Sequence, residues 1–184
     1  MRVRPLALAL ALWLAAACSG GAGGQGVPEE PEAYRTENYR APVPATLRGA
    51  RVVDAQGAEA LWQAKAAIFI DVLPRSPRPP SLPAGTIWRE APHRSIPGAI
   101  WLPNIGFGIV PEPLLEAFRA RIMEHTRGDR TQPLLFFCQR NCWMSWNAAK
   151  RALSWGYSQV IWFPDGTDGW SDALLPLEEV APGL

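Results

Sequence analysis

The chain has 184 residues, which is enough for one domain with a sizeable hydrophobic core and too few for two domains of ordinary size. Its 18 Lys and Arg residues nearly balance its 17 Asp and Glu residues, so the formal net charge is +1. Because this charge is small and the basic residues are scattered along the chain, the composition argues against nucleic acid or an anionic membrane surface as a partner.

The first 17 residues have the layout of a secretory signal peptide: two arginines, an apolar core and then small residues. The apolar core is shorter than the roughly 20 residues that a membrane-spanning helix needs. Cys18 follows directly, after a leucine and three alanines, and this arrangement resembles the lipobox of bacterial lipoproteins, in which the cysteine is lipidated. We therefore expect a periplasmic protein, either lipid-anchored at Cys18 or simply cleaved, that meets a membrane only through this anchor.

The rest of the chain divides into three parts. Residues 18–33 are rich in Gly, Pro and Glu without apolar periodicity, which predicts a flexible, disordered tether. Residues 34–50 combine aromatic residues with prolines and are expected to form an extended N-terminal arm that lies against the domain. Residues 51–180 are expected to form that domain.

Strand and helix patterns alternate through residues 51–180. The continuous apolar run at 66–72 is the strongest strand in the first half, and five prolines make residues 73–91 a long loop. The other expected strands are residues 51–55, 99–102, 134–137 and 159–163; the expected helices are a short one around Leu61, one from Glu112 to near Gly128, one at 145–155 and a final one at 174–180. This alternation predicts an α/β fold with a central parallel β-sheet flanked by helices.

The second and third cysteines lie where an apolar strand passes into a helix. Cys138 ends the strand run at 134–137, and Cys142 precedes the helical pattern that begins at Ser145. Unpaired backbone N–H groups and the helix dipole at such a turn favour a thiolate, which suits nucleophilic or redox chemistry. The pair is interpreted as a reactive thiol with its resolving partner, as a static disulfide that clamps the loop, or as a Cu(I) site.

A Cu(I) site usually recruits a histidine as well, and the chain offers only His93 and His125 for that role. His125 lies near the end of a helix, where a solvated cap is the ordinary interpretation. We therefore expect neither a metal site nor a cofactor. Asp165 and Asp168 are similarly expected to cap a tight loop at 165–170 rather than to bind a cation together.

Five pieces of the sequence, in order, resemble a rhodanese-like domain. They are Ile70-Asp71-Val72; His93 with Ile96-Pro97-Gly98-Ala99; Phe137-Cys138; Ala148-Ala149 with Leu153, Gly156-Tyr157 and Val160; and Gly166-Thr167 with Trp170. The resemblance implies a rhodanese-like fold in which a cysteine at the end of the fourth strand, here Cys138, accepts a sulfane sulfur within a loop of backbone amides. That anion-binding loop would comprise Gln139, Arg140, Asn141, Trp143, Met144 and Ser145, with Asp71 and His93 in supporting positions.

The loop departs from the family pattern in ways that bear on its chemistry. A sulfurtransferase loop commonly runs Cys-x-x-Gly-x-Arg-Ser, whereas here Asn141 replaces the glycine and Ser145 arrives one residue late. The longer loop has the size seen in the phosphatase branch of the fold, but Met144 stands where that branch has its oxyanion-binding arginine. Because a guanidinium stabilises phosphate charge in such a loop, a phosphatase is not expected.

Three segments resemble a narrower exported subfamily, the PQQ-dependent catabolism-associated CXXCW motif proteins: CQRNCWMSWNAAK from Cys138, PDGTDGW from Pro164 and YRAPVP from Tyr39. Here the spacing is Cys-x3-Cys-Trp. The resemblance implies deployment beside a PQQ-dependent alcohol dehydrogenase or its cytochrome c. We expect sulfur transfer or thiol-disulfide exchange at Cys138; the alternative is a non-catalytic binding or assembly module for one of those partners, in which the cysteines form a structural disulfide or hold Cu(I).

Overall fold

The computed structural model describes residues 26–184. The expected signal peptide, residues 1–17, and the expected lipidation site, Cys18, lie outside the described residues. No helix within residues 26–184 combines the length and the apolar character needed to cross a membrane. The elements are, in chain order, β1 (Arg51–Val52), α1 (Ala55–Gln63), β2 (Ile68–Asp71), β3 (His93–Ser95), β4 (Ile100–Trp101), α2 (Glu112–Thr126), β5 (Leu134–Phe137), α3 (Trp143–Ser154), β6 (Val160–Phe163), α4 (Gly166–Asp172) and β7 (Glu178–Val180).

Five strands form a central sheet in the order β1-β6-β5-β2-β4. All neighbouring strands in it are parallel, and Phe137 at the end of β5 pairs with Asp71 of β2 on one side and Phe163 of β6 on the other. The carboxyl ends of the strands therefore meet at one edge, where open α/β sheets bind their ligands. Cys138, the residue after β5, lies at the middle of that edge.

Both faces of the sheet are covered. Along β5, Leu134 and Phe136 pack into one hydrophobic cluster and Leu135 and Phe137 into a second, because successive side chains of a strand point to opposite faces. Residues of α2 and α3 belong to the first cluster, and residues of α1 and α4 to the second. The expected α/β architecture, a central parallel sheet flanked by helices, is confirmed.

The helix that follows the cysteines begins earlier than its periodicity indicates. Cys142 is the N-cap of α3 and Trp143 is its first residue, two positions before Ser145. Every residue from Trp143 to Ala149 is buried. The first turn of α3 is thus enclosed on all sides, so it lacks the polar face from which a helix is ordinarily recognised.

The carboxyl-terminal assignments need correction. Residues 165–170, expected to be a tight loop, lie largely in α4, and residues 174–180, expected to be a helix, end in the strand β7. β7 pairs with β3 in a separate antiparallel sheet, with Glu178 opposite Ser95. Gly166 and Gly169 lower helix propensity, but burial of Trp170 in the second hydrophobic cluster stabilises α4.

The segment before β1 lies against the domain. The N-terminal arm, residues 34–50, has no regular helix or strand of its own and follows the surface of α3. Residues 30–32, near the end of the expected tether, contact the arm. Glu30 accepts hydrogen bonds from the arm at Thr46 and Arg48, and Glu32 pairs with Arg48, because the arm places these donors beside the two carboxylates.

Candidate functional site

Cys138 and Cys142 are joined by a disulfide at the carboxyl edge of the central sheet. The bond between the sulfur atoms is 2.09 Å long and the two Cα atoms are 6.4 Å apart. Cys138 directly follows β5, and Cys142 caps α3. Their relative exposures are 1% and 0%, so the structure brings the two expected cysteines together and encloses both.

The residues between the cysteines form a short exposed turn. Arg140 and Asn141 are exposed and Gln139 is half-buried. Asn141 adopts a φ of 55°, in the left-handed region that asparagine tolerates better than most residues. The other side of the turn is held by the start of α4, where Thr167 donates to the Cys138 carbonyl from both its N–H, at 2.9 Å, and its hydroxyl, at 3.2 Å.

Arg140 points away from the sulfur atoms and onto α4. Its guanidinium donates to Asp172 at 2.7 Å and to Asp165 at 3.1 Å, and its backbone N–H donates to Asp168 at 3.1 Å. The hydrogen bonds to Asp172 and Asp165 raise the pKa of Arg140. Asp165 and Asp168, expected as caps of a tight loop, thus hold the cysteine turn to α4, and the one arginine of that turn is engaged by carboxylates.

The last three residues of the expected anion-binding loop form the first turn of α3 and are buried. The Cβ of Met144 faces Gly106, where an added Cβ would approach it to 2.5 Å. Ser145 accepts a hydrogen bond from the indole of Trp162 at 3.0 Å and donates to the Cys142 carbonyl at 3.2 Å. These side chains serve packing in the core.

Trp143 connects the site to the N-terminal arm. Its backbone N–H donates to the Tyr39 carbonyl at 2.9 Å, and its indole N–H donates to the Pro42 carbonyl at 3.0 Å. Trp143 is only 2% exposed. Trp143 is thus a core residue, and the arm occupies the position where a partner would have to contact this indole.

Asn147 is a residue that the sequence did not single out. Its side-chain amide is fully buried and forms two hydrogen bonds with Arg35 of the arm, accepting from the N–H and donating to the carbonyl, both at 2.9 Å. The same amide donates to the Gly106 carbonyl at 2.9 Å. A polar residue on the apolar face of a helix, one turn beyond Cys142, is the signal that indicates such a contact.

Asp71 and His93 form a second buried cluster. One carboxylate oxygen of Asp71 lies 2.7 Å from Nε2 of His93 and accepts from the Ser95 hydroxyl at 2.6 Å. The other oxygen accepts from the Leu73 N–H at 2.9 Å. In the described chain these contacts join the end of β2 to β3 and do not include amides of the cysteine turn, so the supporting role expected of Asp71 and His93 is to fix the strand ends beside the turn.

Residues 26–184 contain no group of three or more His, Cys, Asp or Glu side chains arranged to hold a metal ion. His93 pairs with Asp71, and His125 lies in the last turn of α2. The two histidines considered for a Cu(I) site therefore have other positions in the fold, and the two sulfur atoms are bonded to each other.

No protein-family model matches this chain, and no curated protein matches it. Among solved structures, a thiosulfate sulfurtransferase from Pseudomonas aeruginosa is 22% identical, with a TM-score of 0.49 over 73% of this chain and 21% of that one. An uncharacterised protein from Saccharomyces cerevisiae is 18% identical, with a TM-score of 0.41 over 67% of this chain and 92% of that one. An EanB variant in complex with ergothioneine is 19% identical, with a TM-score of 0.47 over 77% of this chain and 34% of that one. The chain thus spans only a minor part of the sulfurtransferase and of EanB.

Proposed function

We propose that this chain carries out thiol-disulfide exchange through Cys138 and Cys142. The observation that supports this proposal is the bond between the two sulfur atoms at the junction of β5 and α3, with Cys142 at the amino end of the helix. A thiolate released from Cys142 at that position is favoured by the dipole of α3, although the Trp143 N–H is bonded to the arm. The disulfide is therefore placed where one of its sulfur atoms is a good leaving group.

The exchange proceeds in two steps. A substrate thiolate attacks the Cys138 sulfur, a mixed disulfide forms, and the Cys142 thiolate leaves. A second substrate thiolate then attacks the substrate sulfur of the mixed disulfide and releases Cys138. The substrate dithiol loses two electrons and becomes a disulfide, while Cys138 and Cys142 become thiols that a disulfide of another protein reoxidises. In the reverse direction Cys142 resolves the mixed disulfide.

The geometry favours exchange over persulfide transfer. A persulfide or phosphate anion needs converging N–H donors or a guanidinium. Here the Arg140 N–H and guanidinium are bonded to carboxylates of α4, and the Trp143 N–H is bonded to the arm. Met144, at the position of the phosphatase arginine, is buried.

We propose that this reaction takes place in the periplasm. Residues 1–17 would direct export as a signal peptide, and a lipid on Cys18 would anchor the protein. An oxidising compartment allows a disulfide such as Cys138–Cys142 to persist. The three segments that resemble the PQQ-associated subfamily support a PQQ-dependent alcohol dehydrogenase, or its cytochrome c, as the partner whose thiols or disulfides are exchanged.

A second candidate is a non-catalytic binding or assembly module for the same partners. It is favoured by the exposures of 1% and 0% at the two cysteines, because a disulfide that solvent does not reach acts as a clamp. In this case the bond only stabilises the turn between β5 and α3.

Thiol counting on protein taken directly from the periplasm, followed by equilibration in glutathione buffers, tests the exchange function. We expect the pair to interconvert between disulfide and dithiol, Cys142→Ser to trap a mixed disulfide at Cys138, and Cys138→Ser to abolish turnover. A disulfide that stays closed at every buffer potential, with partner capture unchanged in both serine variants, supports the clamp instead. Thiosulfate:cyanide turnover by the wild-type protein would contradict the preference for exchange.

A further inference from the structure

Helix α3 holds the N-terminal arm through main-chain atoms of the arm. Trp143 donates to the carbonyls of Tyr39 and Pro42, and Asn147 bonds both the N–H and the carbonyl of Arg35. Trp146, about one turn after Trp143, donates its indole N–H to the Thr46 carbonyl at 3.2 Å. These hydrogen bonds use only N–H and carbonyl groups of the arm, so they do not depend on its side chains, whereas the packing of Tyr39, Ala41 and Val43 does.

The arm lies in a groove between α3 and a second wall, and this second wall allows close approach of the main chain of the arm. It is formed by residues 105–108, and a Cβ added at Gly108 would collide with the Arg35 carbonyl. The Gly108 N–H donates to the Tyr39 hydroxyl at 3.0 Å. Glycine at this position leaves room for a peptide backbone between the loop and α3.

The groove runs directly past the disulfide. Arg40 forms an isolated antiparallel bridge with Cys142, and Tyr39, Ala41 and Val43 pack on the cluster that contains both cysteines. The Arg40 residue itself is exposed. An extended segment in this groove therefore places one residue beside the sulfur atoms.

We infer that the groove between α3 and residues 105–108 is a binding site for an extended, thiol-bearing segment of a partner protein, and that the arm is its displaceable resident occupant. The segment uses the hydrogen bonds that the arm uses and carries its cysteine where Arg40 stands. The thiol part of this inference rests on the proposed exchange function, whereas the groove itself does not.

The test uses the full chain and a synthetic peptide of residues 34–47 that carries Arg35→Ala and Thr46→Val, so that Trp143 and Trp146 have different neighbours when the peptide replaces the resident arm. Binding is followed by NMR at the indole N–H groups of Trp143 and Trp146, which face the groove. The indoles of Trp62 and Trp170 are the internal controls, because they donate to Pro97 and Pro176 outside the groove. We expect saturable shifts at the first two indoles and none at the second two.

Matched variants separate main-chain recognition from side-chain recognition. Arg35→Pro removes the N–H that Asn147 accepts, whereas Arg35→Ala removes only the guanidinium that lies over the Trp143 ring. Because Arg35→Pro weakens the resident arm by one hydrogen bond, we expect it to bind the peptide about tenfold more tightly than Arg35→Ala does. Gly108→Ala fills the groove and should reduce binding in either background.

The same peptide with Arg40→Cys tests the thiol. Formation of a mixed disulfide that saturates with peptide concentration supports both the groove and the exchange. Saturable NMR shifts without any mixed disulfide support the groove and overturn the exchange function. Equal shifts at all four indoles, no saturable shift in any variant, or equal affinity of Arg35→Pro and Arg35→Ala would overturn the groove.

Discussion

Arg40 and Cys142 face each other across an antiparallel bridge, so the N-terminal arm crosses the disulfide of its own chain. The cysteine turn is held on the other side by α4, through Thr167 and the Arg140 ion pairs. The site is therefore enclosed between the arm, which precedes the domain, and α4 within it, and its chemistry depends on how firmly each segment is bound.

Removing the disulfide should lower stability by a modest amount. The bond spans 4 positions, and cross-linking so short a loop contributes roughly 2 kcal/mol through the unfolded state. We expect the double variant Cys138→Ala, Cys142→Ala to lose about that much free energy of unfolding in urea. The reduced wild-type protein is the matched control, since it breaks the bond without deleting atoms. An unchanged midpoint in both proteins would show that the bond contributes nothing to stability.

Gly166 should tolerate no side chain. Its φ is 50°, and a Cβ there would collide with the Cys138 carbonyl that Thr167 binds. Gly166→Ala is expected to cost roughly 2–4 kcal/mol of unfolding free energy, from left-handed strain and overpacking together. Gly98→Ala is the control: its φ is 79°, but nothing lies within 4 Å of its added Cβ, so only the strain of roughly 1–2 kcal/mol remains. Equal losses in thermal or urea unfolding would refute the collision.

Asp71 should be one of the most sensitive polar residues. It is fully buried and bonds His93, Ser95 and the Leu73 N–H. Asp71→Ala leaves these groups without their acceptor, so we expect a loss of roughly 3 kcal/mol or more in unfolding free energy. Asp71→Asn keeps one carbonyl oxygen and should lose less. Equal urea midpoints for Asp71→Ala, Asp71→Asn and the wild type would contradict this prediction.

Arg151 should not be replaceable by lysine. Its guanidinium donates to the carbonyls of Ile105, Phe107 and Gly108 at 3.1, 2.6 and 2.8 Å, and burial lowers its pKa. An ammonium cannot span three carbonyls as the planar guanidinium does. We expect Arg151→Lys to lose roughly 2 kcal/mol of stability and to speed hydrogen exchange in residues 105–108.

The control for Arg151→Lys is Arg48→Lys. Arg48 pairs with Glu32 at the surface, where the two side chains are 74% and 82% exposed. Surface pairs of this kind contribute little, so its stability should stay within about 0.5 kcal/mol of the wild type. Similar losses of unfolding free energy in Arg151→Lys and Arg48→Lys would show that the three carbonyl contacts of Arg151 contribute no more than a surface ion pair.

The central part of the fold was predictable because its signals are local. The apolar run of β5, the turn that holds the cysteines and the helical spacing in α3 all lie within residues 134–155, and the structure has them in that order. Prediction failed at β7, where strand structure depends on pairing with β3 about eighty residues earlier. It also failed at α4, whose glycines argue against the helix that Trp170 stabilises by burial.

The proximity of Cys138 and Cys142 was predictable from the sequence, whereas their surroundings were not. The sequence places Cys138 and Cys142 within reach of each other, but it does not show Arg140 on α4 or Asn147 beneath the arm. Both contacts join distant parts of the chain: Arg140 and Asp172 are 32 residues apart, and Asn147 and Arg35 are 112 apart. Periodicity describes a segment and carries no information about which distant segment will cover it.

The sequence separation between contacting residues also sets the order in which the disulfide and the arm contacts form in a newly made chain. The two cysteines can meet as soon as a short turn forms, whereas residues 34–47 must wait until α3 exists more than a hundred positions later. Oxidation therefore has an early interval in which the thiols are open to an oxidant. A chain that passes this interval unoxidised folds with two thiols beneath the arm, and we expect their later oxidation to require displacement of the arm.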